Sequence, residues 1–237
     1  MEESKIEESI KQPKREIRVG RLFLFFFLAE LIIYVVISSL NFSNPSELSA
    51  FNHKRNTIDS ESYFLMVFSI FKNNFTIASM EVIPVLGVIL YSLVTFDTAY
   101  VLAIEGTGHG ISGLVYFLSL GLLPDTWLEI PTYAIACSIG TYIIYYLIKD
   151  RRMLRMKWKK ILSLYGFVAL ELLIAAMFES YEIVIERSYS APYDIIYTLM
   201  MWIPAIPVLV LLVVLFRKIN LMGGKNMEEN KESEIQN

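Results

Sequence analysis

One cysteine and two histidines in 237 residues leave little for the chemistry that small enzymes use. Cys137 falls inside an apolar run, so the chain can form no internal disulfide and no Cys/His metal cluster. Its expected role is that of a small buried packing residue. An intramembrane hydrolase needs a nucleophile or a metal held in fixed geometry. There is no HExxH and no GxSxG, and His53 and His109 stand far apart. The expectation is therefore no enzyme: no catalytic residues, no metal and no cofactor. Charge is scarce too, at 19% against 55% hydrophobic. A soluble domain of this size carries about 25% charge to cover its surface. Short alternating strands are also missing, which excludes a transmembrane barrel.

What the chain does have is long apolar runs, and a mean hydropathy of +0.49. About 20 helical residues cross a hydrocarbon core, and helices satisfy their own backbone there. The expected fold is all-α, a polytopic transmembrane bundle of about six spans. A charged tail, 1–21, precedes the membrane domain, 22–216, and a polar tail, 217–237, reads as disordered. The first span is Leu22–Leu40, which lacks a signal-peptide cleavage site. A polar loop, 41–62, leads to the short apolar stretch Tyr63–Phe71, expected at the interface because Lys72-Asn73-Asn74 ends it. The second span is Phe75–Phe96, followed by a tight turn at Asp97-Thr98. The third, 99–122, is expected to be broken, because Gly106, Gly108 and Gly110 each weaken a helix by about 1 kcal/mol. Trp127–Ile148, Ile161–Ile185 and Ile195–Phe216 complete the set.

Lys and Arg fix the orientation. The first tail has six, residues 149–160 have seven and the last tail four, out of 21. Six spans put all three on one side, so both termini are expected in the cytoplasm of a multi-pass protein of the cell membrane. Arg151, Arg152, Arg155, Lys157, Lys159 and Lys160, interleaved with Met, Leu and Trp, read as a segment lying on anionic lipid, not as a nucleic-acid site. Each such charge contributes about 1 kcal/mol near the inner leaflet.

Acidic groups at membrane depth are the sharpest signal. Glu30, Glu105, His109, Glu171 and Glu179 fall inside expected spans, and Glu81, Asp97, Asp125 and Glu129 near span ends. An Asp or Glu at mid-bilayer costs about 2.5–3.5 kcal/mol on insertion scales, so these residues are expected to face the bundle interior. No Lys or Arg falls within an expected span to pair with them. They act either as neutral acids bonding helix to helix or as a cation or proton path. Glu105 and His109, at i and i+4, share a helix face, and the glycines around them can unwind the helix to expose carbonyls to a cavity. Asp125 reads as a helix cap, and Glu129 as a polar anchor between spans.

Residues 64–148 resemble the stage II sporulation protein M family. An apolar stretch reaches the paired Asn73-Asn74, and a Gly-containing span with Gly87 follows. The segment Leu123-Pro124-Asp125-Thr126-Trp127-Leu128-Glu129-Ile130-Pro131 then opens a span with small residues. The family pattern there is Leu-Pro-His-Gly-x-x-Glu-Leu-Pro. Pro124, Glu129 and Pro131 keep their places, while Asp125-Thr126 replaces His-Gly and Asp97-Thr98 stands where Asn-Gly is common. The resemblance implies a non-enzymatic scaffold or subunit of a membrane complex, with membrane or exported protein partners. The buried acids carry the alternative, a small transporter or channel for protons, cations or a polar solute. The Ile, Lys, Glu and Tyr bias fits a thermophilic archaeal chain.

Overall fold

A computed structural model describes residues 17–149 and 151–222, so the expected charged and disordered tails lie largely outside the described residues. Among the described residues there are ten helices and no strand. They are α1 (Val19–Ser38), α2 (Pro45–Asp59), α3 (Tyr63–Glu81), α4 (Leu86–Gly108), α5 (Gly113–Leu120), α6 (Thr126–Lys149), α7 (Arg151–Met156), α8 (Trp158–Ser188), α9 (Tyr193–Met200) and α10 (Trp202–Leu221). Five stretches are long and apolar enough to cross a membrane: α1, α4, α6, α8 and the run Tyr193–Leu221 formed by α9 and α10. α3 has 19 residues, with Lys72-Asn73-Asn74 in its middle.

The contacts show how the chain passes through the bundle. At one end Gly20 of α1 lies against Asn220 of α10, whose carbonyl accepts from Lys160 at the start of α8. At the other end Gly113 lies against the carbonyl of Ser38 and Gly108 against Leu48 of α2, and Arg187 donates to Glu61 O at 3.2 Å. Six alternating passes follow: α1, α3, α4, α5 with α6, α8, and α9 with α10. The basic segment of α7 and early α8 sits at the end where α1 begins and α10 finishes. There Lys149, Lys157, Lys159 and Lys160 lie over Tyr145, Tyr146, Trp158 and Tyr142.

The helix boundaries correct the sequence reading between residues 63 and 122. Lys72-Asn73-Asn74 does not end a helix; α3 runs through it, because Asn74 turns inward to a polar partner while Lys72 faces out. The tight turn falls at Val82–Val85, not at Asp97-Thr98, which lies inside α4. Pro84 cannot donate to a helix and disfavours helical backbone at Ile83. Val85 then adopts φ +71°, and Leu86 N donates to Pro84 O at 2.9 Å, a γ-turn. Gly87 closes the turn: a Cβ there would lie 1.8 Å from Glu81 O.

The break expected in the third span falls after α4, at His109–Ser112, with Gly110 at φ +73°. Gly106 and Gly108 serve close approach rather than unwinding, since a Cβ on Gly106 would lie 2.5 Å from the Gly113 backbone and one on Gly108 2.8 Å from Leu48. α5, eight residues long, therefore belongs to the next pass, joined to α6 through the buried Pro124. Pro131 is accommodated inside α6.

α6 is the central helix. Its Leu128, Ile135, Ile139, Tyr142 and Tyr146 form the main core with Phe167, Val168, Leu172 and Ala175 of α8, Ala78 of α3 and Leu212 of α10. Small Ala134, Ala136, Ser138 and Gly140 are all buried, which lets neighbouring helices close in on α6.

Candidate functional site

α6 starts deep in the bundle, so its first turn meets the middle of α3 instead of an end. There Asn74 donates to Glu129, and Asn73 donates to Asn74 Oδ1 at 3.0 Å. Around this pair lies an inner chamber of about 260 Å³, with Glu30 of α1, Glu81 of α3 and Glu129 of α6 on its walls. Tyr34, Thr95, Thr98 and Tyr133 add hydroxyls, and Leu102, Phe117 and Leu120 add apolar surface.

The three carboxyls differ in their partners. Glu30 is 1% exposed and accepts from Tyr34 at 3.3 Å and Tyr91 at 2.8 Å. Tyr91 also faces Phe26 O at 2.9 Å, so its one hydroxyl hydrogen has two acceptors. The Tyr91 hydroxyl is therefore shared between Glu30 and the Phe26 carbonyl. Glu81, also 1% exposed, has no hydrogen-bond partner on either oxygen.

Asn73, Asn74, Leu102, Leu120, Thr126 and Glu129 line a second chamber as well, about 380 Å³ and nearer the α2 end. Its acids are Asp59 of α2, Glu105 of α4, Asp125, and Glu179, Glu182 and Glu186 of α8, beside Glu129, with Lys54 and Arg55 of α2 also on its wall. One oxygen of Glu105 and one of Asp125 are buried without a partner. Arg55 of α2 reaches the mouth, 3.7 Å from Asp59 and 3.9 Å from Glu186. Such an arrangement can hold positive charge. Among the described residues, no three His, Cys, Asp or Glu side chains converge closely enough to hold a metal ion.

Most of the sequence candidates meet here, but not all. Glu30, Asn73, Asn74, Glu105, Glu129 and Glu179 line the chambers. His109 keeps the expected face, its Nε2 3.5 Å from Glu105 Oε2, but its ring is largely exposed at the rim beside Tyr116. Glu171 is buried apart from both chambers, next to Thr132 of α6. The unwinding expected around Glu105–Gly110 is absent, since α4 stays helical to Gly108, and at the α5–α6 break the carbonyls are partnered. Thr126 donates to Leu120 O at 2.9 Å, Trp127 to Gly121 O at 2.8 Å and Trp202 to Leu122 O at 2.6 Å. Glu81 was expected only near a span end and Glu182 was missed. The 179, 182, 186 spacing, one helix face, is the signal that finds the second.

Two further charged residues lie within helices of the bundle, Lys72 in α3 and Asp97 in α4. Lys72 lies nine residues before Glu81, and Asp97 eleven after Leu86, so they stand about 14 and about 17 Å from the α3–α4 turn at 1.5 Å per residue. Both are exposed on outward faces, Lys72 with Phe68 and Thr76, Asp97 with Leu93 and Phe96. The adjacent Asn73 and Thr98 are exposed and also line the inner chamber, so a polar seam runs between α3 and α4.

The family model for stage II sporulation protein M matches residues 22–182. The chain belongs to the stage II sporulation protein M family. The match reaches from α1 to near the end of α8, beyond residues 64–148 where the sequence shows its motifs. In this member of the family, the motif positions Asn73, Asn74 and Glu129 meet where the two chambers join, and Asp125-Thr126 stands on the outer chamber wall. Gly87 shapes the turn below Glu81. No curated protein and no solved structure matches the chain.

Proposed function

We propose that this protein is a non-enzymatic subunit or scaffold of a membrane complex, set in the cell membrane with both termini cytoplasmic. The observation that carries the reading is the polar seam between α3 and α4. An ionised side chain facing lipid near mid-bilayer costs about 2.5–3.5 kcal/mol on insertion scales, and the seam holds two, Lys72 and Asp97, of opposite sign. A helix of a partner membrane protein, with an acid against Lys72 and a donor against Asp97, removes that cost. Family membership is consistent with this role.

The test is purification of the full chain from its native cells in mild detergent, with a photocrosslinker at Thr76 or Leu93 on the seam, or at Leu211 of α10 as control. Crosslinks to one membrane protein from the seam alone, released by Lys72→Leu with Asp97→Leu, support the reading. A particle with no crosslinked partner, or a partner indifferent to both substitutions, sinks it. A second copy of the chain on the seam would make the complex a homo-oligomer.

The two chambers favour a second reading, transport of a proton, a cation or a polar solute. It requires flux in proteoliposomes that Glu81→Gln or Glu105→Gln abolishes without lowering abundance. On the scaffold reading, complex assembly survives neutralising Glu105 or His109.

A further inference from the structure

We propose that the joined chambers form a binding site for an extended aliphatic amine carrying two or more ammonium groups, a ligand beyond what the scaffold reading requires. Three observations lead there. The first is unpaired acceptors: Glu81 is 1% exposed, lines the inner chamber and has no partner on either oxygen, and Glu105 and Asp125 each present one unpartnered buried oxygen to the outer one. A buried acceptor without a donor is costly, more so when charged. A donor-rich cation entering the chamber would remove that cost.

The second is spacing. The acids do not converge on one point, since no three of the described His, Cys, Asp and Glu side chains could hold a metal ion. They are spread along the path instead. Glu179, Glu182 and Glu186 follow one face of α8 over an interval of seven residues, and Asn74, the partner of Glu129, is seven from Glu81 on α3. By helical rise each interval is about 10 Å. A compact cation reaches only part of this path at once, whereas a chain with separated ammonium groups spans from the Glu81 end to the α8 acids.

The third is the wall between the charges. Leu102 and Leu120 line both chambers, Val94, Phe117 and Ile130 the inner one, and Tyr34, Tyr116 and Tyr133 add aromatic surface and hydroxyls. Methylene segments fit such a wall, and ammonium groups gain from aromatic faces. Arg55 already places an organic cation of the chain itself at the mouth, beside Glu186. The chamber volumes are of small-molecule scale.

The test is isothermal titration calorimetry of the detergent-purified full chain with spermidine and putrescine, against potassium, calcium and uncharged butanediol. The expected result is saturable spermidine binding, weaker putrescine binding, and none of comparable strength by the other three. Glu81→Gln and Glu129→Gln should each weaken spermidine binding at least ten-fold while elution on size exclusion is unchanged. Asp125→Asn, on the outer wall, gives a second test should either inner variant misfold. No spermidine binding, or binding indifferent to these substitutions, overturns the proposal. Binding of calcium or potassium alone with the same sensitivity to Glu81 also overturns it, and moves the chambers to an inorganic cation. Partner crosslinking at the α3–α4 seam is read separately, so either idea can fail without the other.

Discussion

Val85 carries the left-handed backbone of the α3–α4 turn, with φ +71° on a β-branched residue that is 62% exposed. For a residue with a Cβ this conformation costs about 1–2 kcal/mol. Two residues on, Gly87 has no room for any side chain. These neighbours predict opposite signs. Val85→Gly relieves strain, offset in part by the entropy that glycine adds to the unfolded chain, and should raise the thermal midpoint in detergent slightly. Gly87→Ala pushes α4 off Glu81 O and should lower stability by about 1–3 kcal/mol, the usual cost of overpacking. Equal midpoints for the two variants would show that the turn is not built this way. At this scale the sequence was partly readable. Glu30, Glu105 and Glu129 stand out because carboxyls are costly in an apolar run, and they do line the chambers. Glu171 gives the same signal and lies elsewhere, because cost says a residue must turn inward but not which cavity it will meet.

Elements were legible where apolar runs stand alone, as in α1, α6, α8 and α10. Between residues 63 and 122 they were not, since three turn signals compete there. Lys72-Asn73-Asn74 and Asp97-Thr98 look like stops by polarity, while Pro84-Val85 is the stop set by backbone. The backbone signal wins because an inward Asn74 finds Glu129 and an exposed Asp97 needs no break in its helix. Choosing wrongly shifts two passes and hides the α5–α6 discontinuity, whose Leu123 and Asp125 line the outer chamber. Trp202 ties that discontinuity to α10 through its bond to Leu122 O. Trp202→Phe keeps most of the ring and removes the donor, a loss of about 1 kcal/mol. Hydrogen exchange of the 121–125 amides should quicken in this variant while that of α8 stays unchanged. Unaltered exchange across 121–125 would mean the bond does not hold the turn.

For the molecule as a whole, two independent lines bear on topology. The contacts gather Gly20, the basic segment and Asn220 at one end, and Ser38, α2, Gly113 and Arg187 at the other. The sequence separately concentrates Lys and Arg in the segments at the first end, the side that positive charge keeps in the cytoplasm. The sequence reading cut α3 short and counted α5 with the wrong pass, two boundary errors that leave the expected number of passes at six. Parity, and with it the orientation, depends only on that number. The native Cys137 is buried, so single exposed cysteines can report sidedness. Asn56→Cys on α2 should react with a membrane-impermeant maleimide in intact cells, and Met156→Cys on α7 only after permeabilisation. If both react in intact cells, the six-pass arrangement is wrong. If only Met156→Cys reacts, the bundle is inverted, and the chamber mouth at α2 would draw its ligand from the cytoplasm instead of from outside.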